Sequence, residues 1–217
     1  MMKNKLYILL ALITIFACET EPKINKKTTL PFFNSAKFTP EWISKTSDKY
    51  ADIHTIPEFK FINQEGEKVT NKTYQGKIYV ADFFFTSCPG ICPRLAKNMR
   101  KLQEVFKDDN DVFLLSHSVT PEKDSISVLK EYAIENKVDS KKWNLVTGNK
   151  KEIYEIARNA YFADEDFVKT QDKSAFIHTE NFILIDKKGR IRGVYNGTLA
   201  VEIERILRHI KILKKEG

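Results

Sequence analysis

Apolar positions along this chain recur with two periods, and the places where the period changes divide the sequence into elements. Phe59 to Ile62 and Glu67 to Thr70 lie on either side of the Gly66 turn and predict a hairpin. Lys77 to Phe85 is a nearly unbroken apolar run of strand length, as expected of a strand covered on both faces. Pro93 to Phe106 then takes up the spacing of an amphipathic helix, and Val112 to Val119 returns to a core strand. Ser125 to Asn136 carries Ile126, Leu129, Tyr132 and Ala133 at helical spacing, and Lys151 to Ala160 repeats the pattern with Ile153, Ile156 and Ala157. Asn181 to Asp186 reads as a strand, Lys187 to Arg190 as a turn and Ile191 to Tyr195 as its partner strand. Val201 to Leu213 reads as a terminal helix with Ile203, Ile206, Leu207 and Ile210 facing inward.

The resulting order (hairpin, strand, helix, strand, two helices, hairpin, helix) predicts an α/β domain with a thioredoxin-like arrangement over residues 52–217. Upstream the texture changes. A basic start with Lys3 and Lys5 precedes an apolar run from Leu6 to Ala17 and then Cys18. About a dozen apolar residues are too few to cross a bilayer as a helix, which takes roughly 20, so residues 1–17 read as a secretory signal. Ile15-Phe-Ala-Cys18 resembles a bacterial lipobox, which makes Cys18 the expected acylated N-terminus, although Phe16 is bulkier than usual there. An uncleaved anchor or a plain signal peptide is the alternative. Residues 18–51 are polar, carry Pro22, Pro31 and Pro40, and read as a tether, with Trp42 and Phe32-Phe33 as the residues able to pack. The folded part is therefore expected outside the cytoplasm, on the periplasmic side of a bacterial membrane.

The chain has 217 residues, 42% of them hydrophobic, enough for one good core. Its formal net charge of +7 falls to +5 when Lys3 and Lys5 leave with the signal (7 − 2), and the basic residues are interspersed with acidic ones. No nucleic-acid patch emerges. Lys211 to Lys215 reads as a solvated tail, with proximity to anionic lipid as the lesser alternative.

The chemistry concentrates at Cys88 and Cys92, in Asp82-Phe-Phe-Phe-Thr-Ser-Cys-Pro-Gly-Ile-Cys-Pro93, where the core strand runs into the helix. Three intervening residues put the sulfurs about one turn apart at a helix N-terminus, where backbone N–H groups favour thiolate. Pro93 presets the first turn at little cost. A disulfide here would close a very small loop and stabilise weakly, so a structural staple is the lesser reading. Among the histidines, His54 and His209 read as surface residues and His117 as a core or rim residue of its strand. His178 precedes the strand expected beside the cysteine strand, in a loop facing the thiols. Asp82 is either a carboxylate behind the ligands or a structural group.

The run from Asp82 to Pro93, with Ser118-Val-Thr-Pro-Glu-Lys-Asp124, Val128-Leu-Lys-Glu-Tyr132, Trp143-Asn-Leu-Val-Thr-Gly148 and His178 before Phe182-Ile-Leu-Ile-Asp186, resembles the Sco/SenC family of thioredoxin-fold copper proteins over residues 52–212. The resemblance implies copper ligation by Cys88, Cys92 and His178. It also implies a role in assembling the dinuclear copper centre of cytochrome c oxidase, with a copper-bearing oxidase subunit or another copper chaperone as partner. Two departures stand out: Thr120 replaces an acidic residue, and Ile177 replaces an acid commonly found before the histidine. On chemistry alone, two thiolates and an imidazole suit Cu(I), and a further donor would accommodate Cu(II); zinc is the competitor. A membrane-tethered thiol:disulfide reductase would use the same cysteines without His178. A peroxidase with Arg94 as activating group is a weaker alternative.

Overall fold

A computed structural model of the chain describes residue 25, residues 28–172 and residues 175–216. Cys18 and the signal-like segment lie outside the described residues. The elements form one seven-stranded mixed sheet: β1 (Lys60–Asn63), β2 (Lys68–Thr70), β3 (Ile78–Phe84), β4 (Val112–Ser118), β5 (Trp143–Thr147), β6 (Asn181–Ile185) and β7 (Ile191–Asn196). Their spatial order is β2-β1-β5-β4-β3-β6-β7. The central β5, β4 and β3 are parallel, and the outer strands run antiparallel to their neighbours. The helices are α1 (Cys92–Val105), α2 (Ile126–Asn136), α3 (Lys150–Asn159), α4 (Glu165–Thr170) and α5 (Ala200–Glu216).

Every residue of β3 is buried, because both faces of the sheet are covered. Ile78, Val80 and Phe84 point with Leu114, Trp143 and Leu184 toward α1, α2 and α5, where Leu95, Met99, Leu129, Ile206 and Ile210 complete the core. Tyr79, Ala81 and Phe83 point the other way, with Leu115, Val146 and Ile183, onto Ile153, Ile156 and Ala157 of α3. Ser125 and Asn149 start α2 and α3 by accepting the N–H of Val128 and Glu152, the ordinary capping role of short polar side chains. The thioredoxin-like arrangement expected for residues 52–217 is thus present, with two additions. The strand β5 had no alternating pattern to announce it, since all five of its residues are buried, and α4 is short.

The expected tether differs more. From residue 28 to residue 51 the chain lies along the edge of the sheet instead of standing free. Leu30 and Phe32 are buried, the Phe33 N–H donates to the Ile191 carbonyl at 3.1 Å, and Arg192 donates to the carbonyls of Leu30 and Pro31 at 2.7 and 3.0 Å. The segment packs because a few apolar side chains and one buried guanidinium hold it, and neither leaves a periodic signature.

Candidate functional site

β3 ends at Phe84, and the chain turns through residues 85–91 before α1 begins at Cys92. The Cys88 N–H donates to the Phe85 carbonyl at 3.3 Å, closing the turn that lifts the first thiol to the rim. Pro93 lies in the first turn of α1, where its missing N–H costs nothing. Both cysteines are free; Cys88 is half-buried and Cys92 is 5% exposed. Their side chains are hydrogen-bonded to each other, with Cys92 donating to Cys88. Burial opposes ionisation of Cys88. The Cys92 thiol and the N–H groups of Cys92, Gly90 and Ile91 outweigh it and hold Cys88 below the usual thiol range. Burial, and the proton it gives to Cys88, push Cys92 up. The site therefore pairs one thiolate-prone sulfur at the surface with one protonated sulfur behind it.

A second carboxylate, not singled out by the sequence reading, holds this turn from beneath. Asp124 is fully buried. Its oxygens accept from the Thr86 hydroxyl (2.6 Å) and N–H (3.3 Å), the Ser118 hydroxyl (2.5 Å) and the Thr120 hydroxyl (2.9 Å). The strand end of β4 is thereby tied to the residue two places before Cys88. Thr120 contributes a hydroxyl donor to this knot, where an acidic side chain would have brought a second negative charge. The cluster of Ser and Thr around one Asp was the available signal. Asp82, by contrast, is locked inside: it accepts from Ser116, which in turn accepts from the Trp143 indole at 2.8 Å, and burial raises it to about 7.

β6 pairs antiparallel with β3, Ala81 opposite Ile183, so the chain preceding β6 runs toward the rim that carries the thiols. Phe176 of that segment sets its ring edge-on against Phe85, centroids 5.3 Å apart. His178 is exposed on this segment, between buried Ile177 and buried Thr179. Ile177 faces the core formed with Phe83 and Ala163. Among the described residues no three His, Cys, Asp or Glu side chains stand close enough together to hold a metal ion. The two thiols are thus brought together, and the imidazole lies on the neighbouring segment without having joined them.

The other histidines depart from expectation in detail. His54 is half-buried, with Nε2 2.8 Å from the Ala160 carbonyl, and His209 is half-buried, with Nδ1 2.8 Å from the Tyr195 hydroxyl. Both were read as surface residues, and both are instead held by a single polar partner on a packed face. His117 is fully buried against Phe83, Phe61 and Tyr161, at 4.9, 5.6 and 5.3 Å between rings. It is a core residue, but not a satisfied one: neither ring nitrogen has a hydrogen-bond partner. Arg94 is exposed on α1. No helix among the described residues is long and apolar enough to cross a membrane.

Comparison with known proteins agrees with this geometry. Residues 47–215 match the SCO1/SenC family model. The chain is 32% identical to the SCO1 protein homolog of Bacillus subtilis, over 73% of this chain and 82% of that one. It superposes on a SCO1/SenC family lipoprotein from Bacillus anthracis with a TM-score of 0.64 at 32% identity, covering 74% and 95% of the two chains. BsSco, a member of the Sco family of cytochrome c oxidase assembly proteins with an identified disulfide switch, gives 0.61 at 28% identity over 74% and 94%. Yeast Sco1 with copper bound shares the fold, with a TM-score of 0.56 at 23% identity over 73% and 89%.

Proposed function

Since this chain belongs to the SCO1/SenC family, we propose that it is an extracytoplasmic copper carrier for cytochrome c oxidase assembly, in which Cys88, Cys92 and His178 hold the ion in transit. The observation that carries the reading is the pair of free thiols at the N-terminus of α1, Cys88 at the rim and Cys92 buried behind it, with the His178 segment packed beside it through Phe176 and Phe85. Copper bound to yeast Sco1, and the assembly role in the description of BsSco, support the choice of metal and pathway.

The donor set suits the cargo. Two thiolates and an imidazole are soft, and three donors leave room for an incoming ligand. Reduced Cys88 and Cys92 receive Cu(I), His178 swings in as the third donor, and a partner's thiolates displace these ligands one at a time. Two-electron oxidation of the pair by an oxidant or a partner disulfide withdraws both sulfurs and releases the ion. The lipid on Cys18 that the sequence implies would keep the carrier at the membrane, as in the Bacillus anthracis lipoprotein.

A second reading has its own observation. An outer sulfur biased toward thiolate and backed by a protonated inner one is the arrangement of an attacking and a resolving thiol, so a reductase acting on the cysteines of an oxidase subunit uses the same pair. Metal analysis of anaerobically purified protein separates the two. Stoichiometric copper in the reduced protein, its loss in Cys88→Ser and weakened retention in His178→Ala with dithiol exchange intact are the expected results. Near wild-type copper in Cys88→Ser would overturn the carrier reading, and unchanged copper affinity in His178→Ala would remove the histidine from the ligand set.

A further inference from the structure

A cleft of about 700 Å³ opens at the edge of the sheet where β6 turns into β7, α5 ends and the N-terminal segment enters the fold. Because β6 is antiparallel to β3, with Ile185 opposite Tyr79, this turn lies at the end of the sheet opposite the thiols. Six cationic side chains line the cleft (Lys45, Lys187, Lys188, Arg190, Arg192 and Lys215) against two carboxylates, Asp186 and Glu216. Both carboxylates are already neutralised: Asp186 pairs with Arg190 at 2.8 Å and Arg192 at 3.2 Å, and Glu216 pairs with Arg192 at 2.8 Å. The four lysines are in no ion pair among the described residues. Lys45, Lys188 and Lys215 are exposed, so their charge is directed outward, and the two carboxylates lining the cleft are already paired with arginines.

Asn25 lies at this cleft. It lies only seven positions after Cys18 (25 − 18), a span of at most about 25 Å when fully extended. A lipid on Cys18 would therefore keep the rim close to the bilayer, and thermal motion would bring it repeatedly within the screening length of about 8 Å where lysines feel an anionic surface.

We propose that this lysine-rimmed cleft docks on the anionic lipid headgroups of the membrane that carries the chain. The thiols, at the far end of β3, then face away from the bilayer. Seven strand residues at roughly 3.3 Å each separate them from the docked rim by about 20 Å. The proposal rests on the reading of Cys18 as lipidated, and the test keeps the two apart.

Trp42 lines the cleft and Trp143 is locked in the core, so Trp42 reports the approach of this face to lipid against a constant background. The full chain, purified from membranes, is reconstituted into vesicles of phosphatidylcholine alone or mixed with phosphatidylglycerol, each carrying a dansyl headgroup lipid, and tryptophan-to-dansyl transfer is read at equal bound protein. The expected result is stronger transfer with phosphatidylglycerol, lost on raising salt, lost in K45Q/K187Q/K188Q/K215Q and lost in Trp42→Phe. Equal transfer in both lipids, or a quadruple variant with wild-type transfer, would overturn the proposal. The salt titration on the unaltered chain reads the same quantity should the variant fold poorly. The mass of the residue-18 peptide tests the lipid separately. An unmodified Cys18 with the lipid dependence intact refutes the anchor alone, whereas a lipidated Cys18 without the dependence refutes the docking alone.

Discussion

Cys88 and Cys92 are the same residue type four positions apart, yet their surroundings assign them different states. The Cys92 thiol and the N–H groups of the turn favour the ionised form of the outer sulfur, while burial keeps the inner one protonated. In reduced, metal-free protein near neutral pH, iodoacetamide should therefore alkylate Cys88 first, as read by peptide mass; prior labelling of Cys92 would contradict the assignment. His117 is the opposite kind of residue, a base with no use for its basicity. Burial lowers it to about 3, so the folded state cannot take up the proton that the unfolded chain binds below about 6.5. Stability is therefore lost as pH falls through that window and is fully present above it. Between pH 7 and 5 this one side chain should cost on the order of 2 kcal/mol. His117→Phe, which keeps the stack on Phe83 and leaves no unpaired nitrogen, should raise stability at pH 7 by about 1 kcal/mol and flatten the acid limb, as measured by urea unfolding at both pH values.

At the scale of elements, two polar anchors decide where chain segments lie. The Asp124 knot joins the end of β4 to the turn that carries Cys88, so the position of the first thiol is set by a residue 36 places further along (124 − 88). Arg192 does the same for the N-terminal segment: buried on β7, it binds the carbonyls of Leu30 and Pro31 and the carboxylates of Asp186 and Glu216. Breaking such a buried network by removing one partner typically costs about 3–5 kcal/mol. Arg192→Gln should therefore release residues 28–51, and limited proteolysis should cut within them well before the rest of the domain; equal resistance of variant and wild type would show that Leu30 and Phe32 suffice. Close packing constrains the other side of the site. A Cβ at Gly197 would come within 2.6 Å of the Phe182 ring and 2.9 Å of Leu95, so no larger residue fits where the chain leaves β7 beside the first turn of α1.

For the molecule as a whole, these anchors leave a rigid sheet with its chemistry at one rim and its positive charge at the other. Oxidising Cys88 and Cys92 closes a ring of only five residues, so the disulfide should raise global stability by no more than about 2 kcal/mol. Denaturant midpoints of reduced and oxidised protein should accordingly lie close together, and a large separation would mean that oxidation reorganises more than the loop. Such a pair can switch its redox state without unfolding its scaffold, which is what a carrier that releases cargo on oxidation requires.

Much of this was legible in the residues. Periodicity located β3, α1, β4, α2, α3, β6, β7 and α5 because each buries one face or two, and burial writes itself into the spacing of apolar side chains. The CPGICP run at the strand-to-helix junction located the thiols, because local geometry alone puts them together. Other features depended on contacts between residues distant in sequence and had no local signature. The packing of 28–51 hangs on a guanidinium more than 160 residues away. The burial of the Cys92 sulfur, the absence of a hydrogen-bond partner for the His117 ring and the packing of Phe176, two places before His178, against Phe85 all depend on neighbours supplied by other elements. Spacing along a chain records which face of an element meets the core, while hydrogen-bond partners and local dielectric are properties of the assembled volume, and those only the tertiary structure decided.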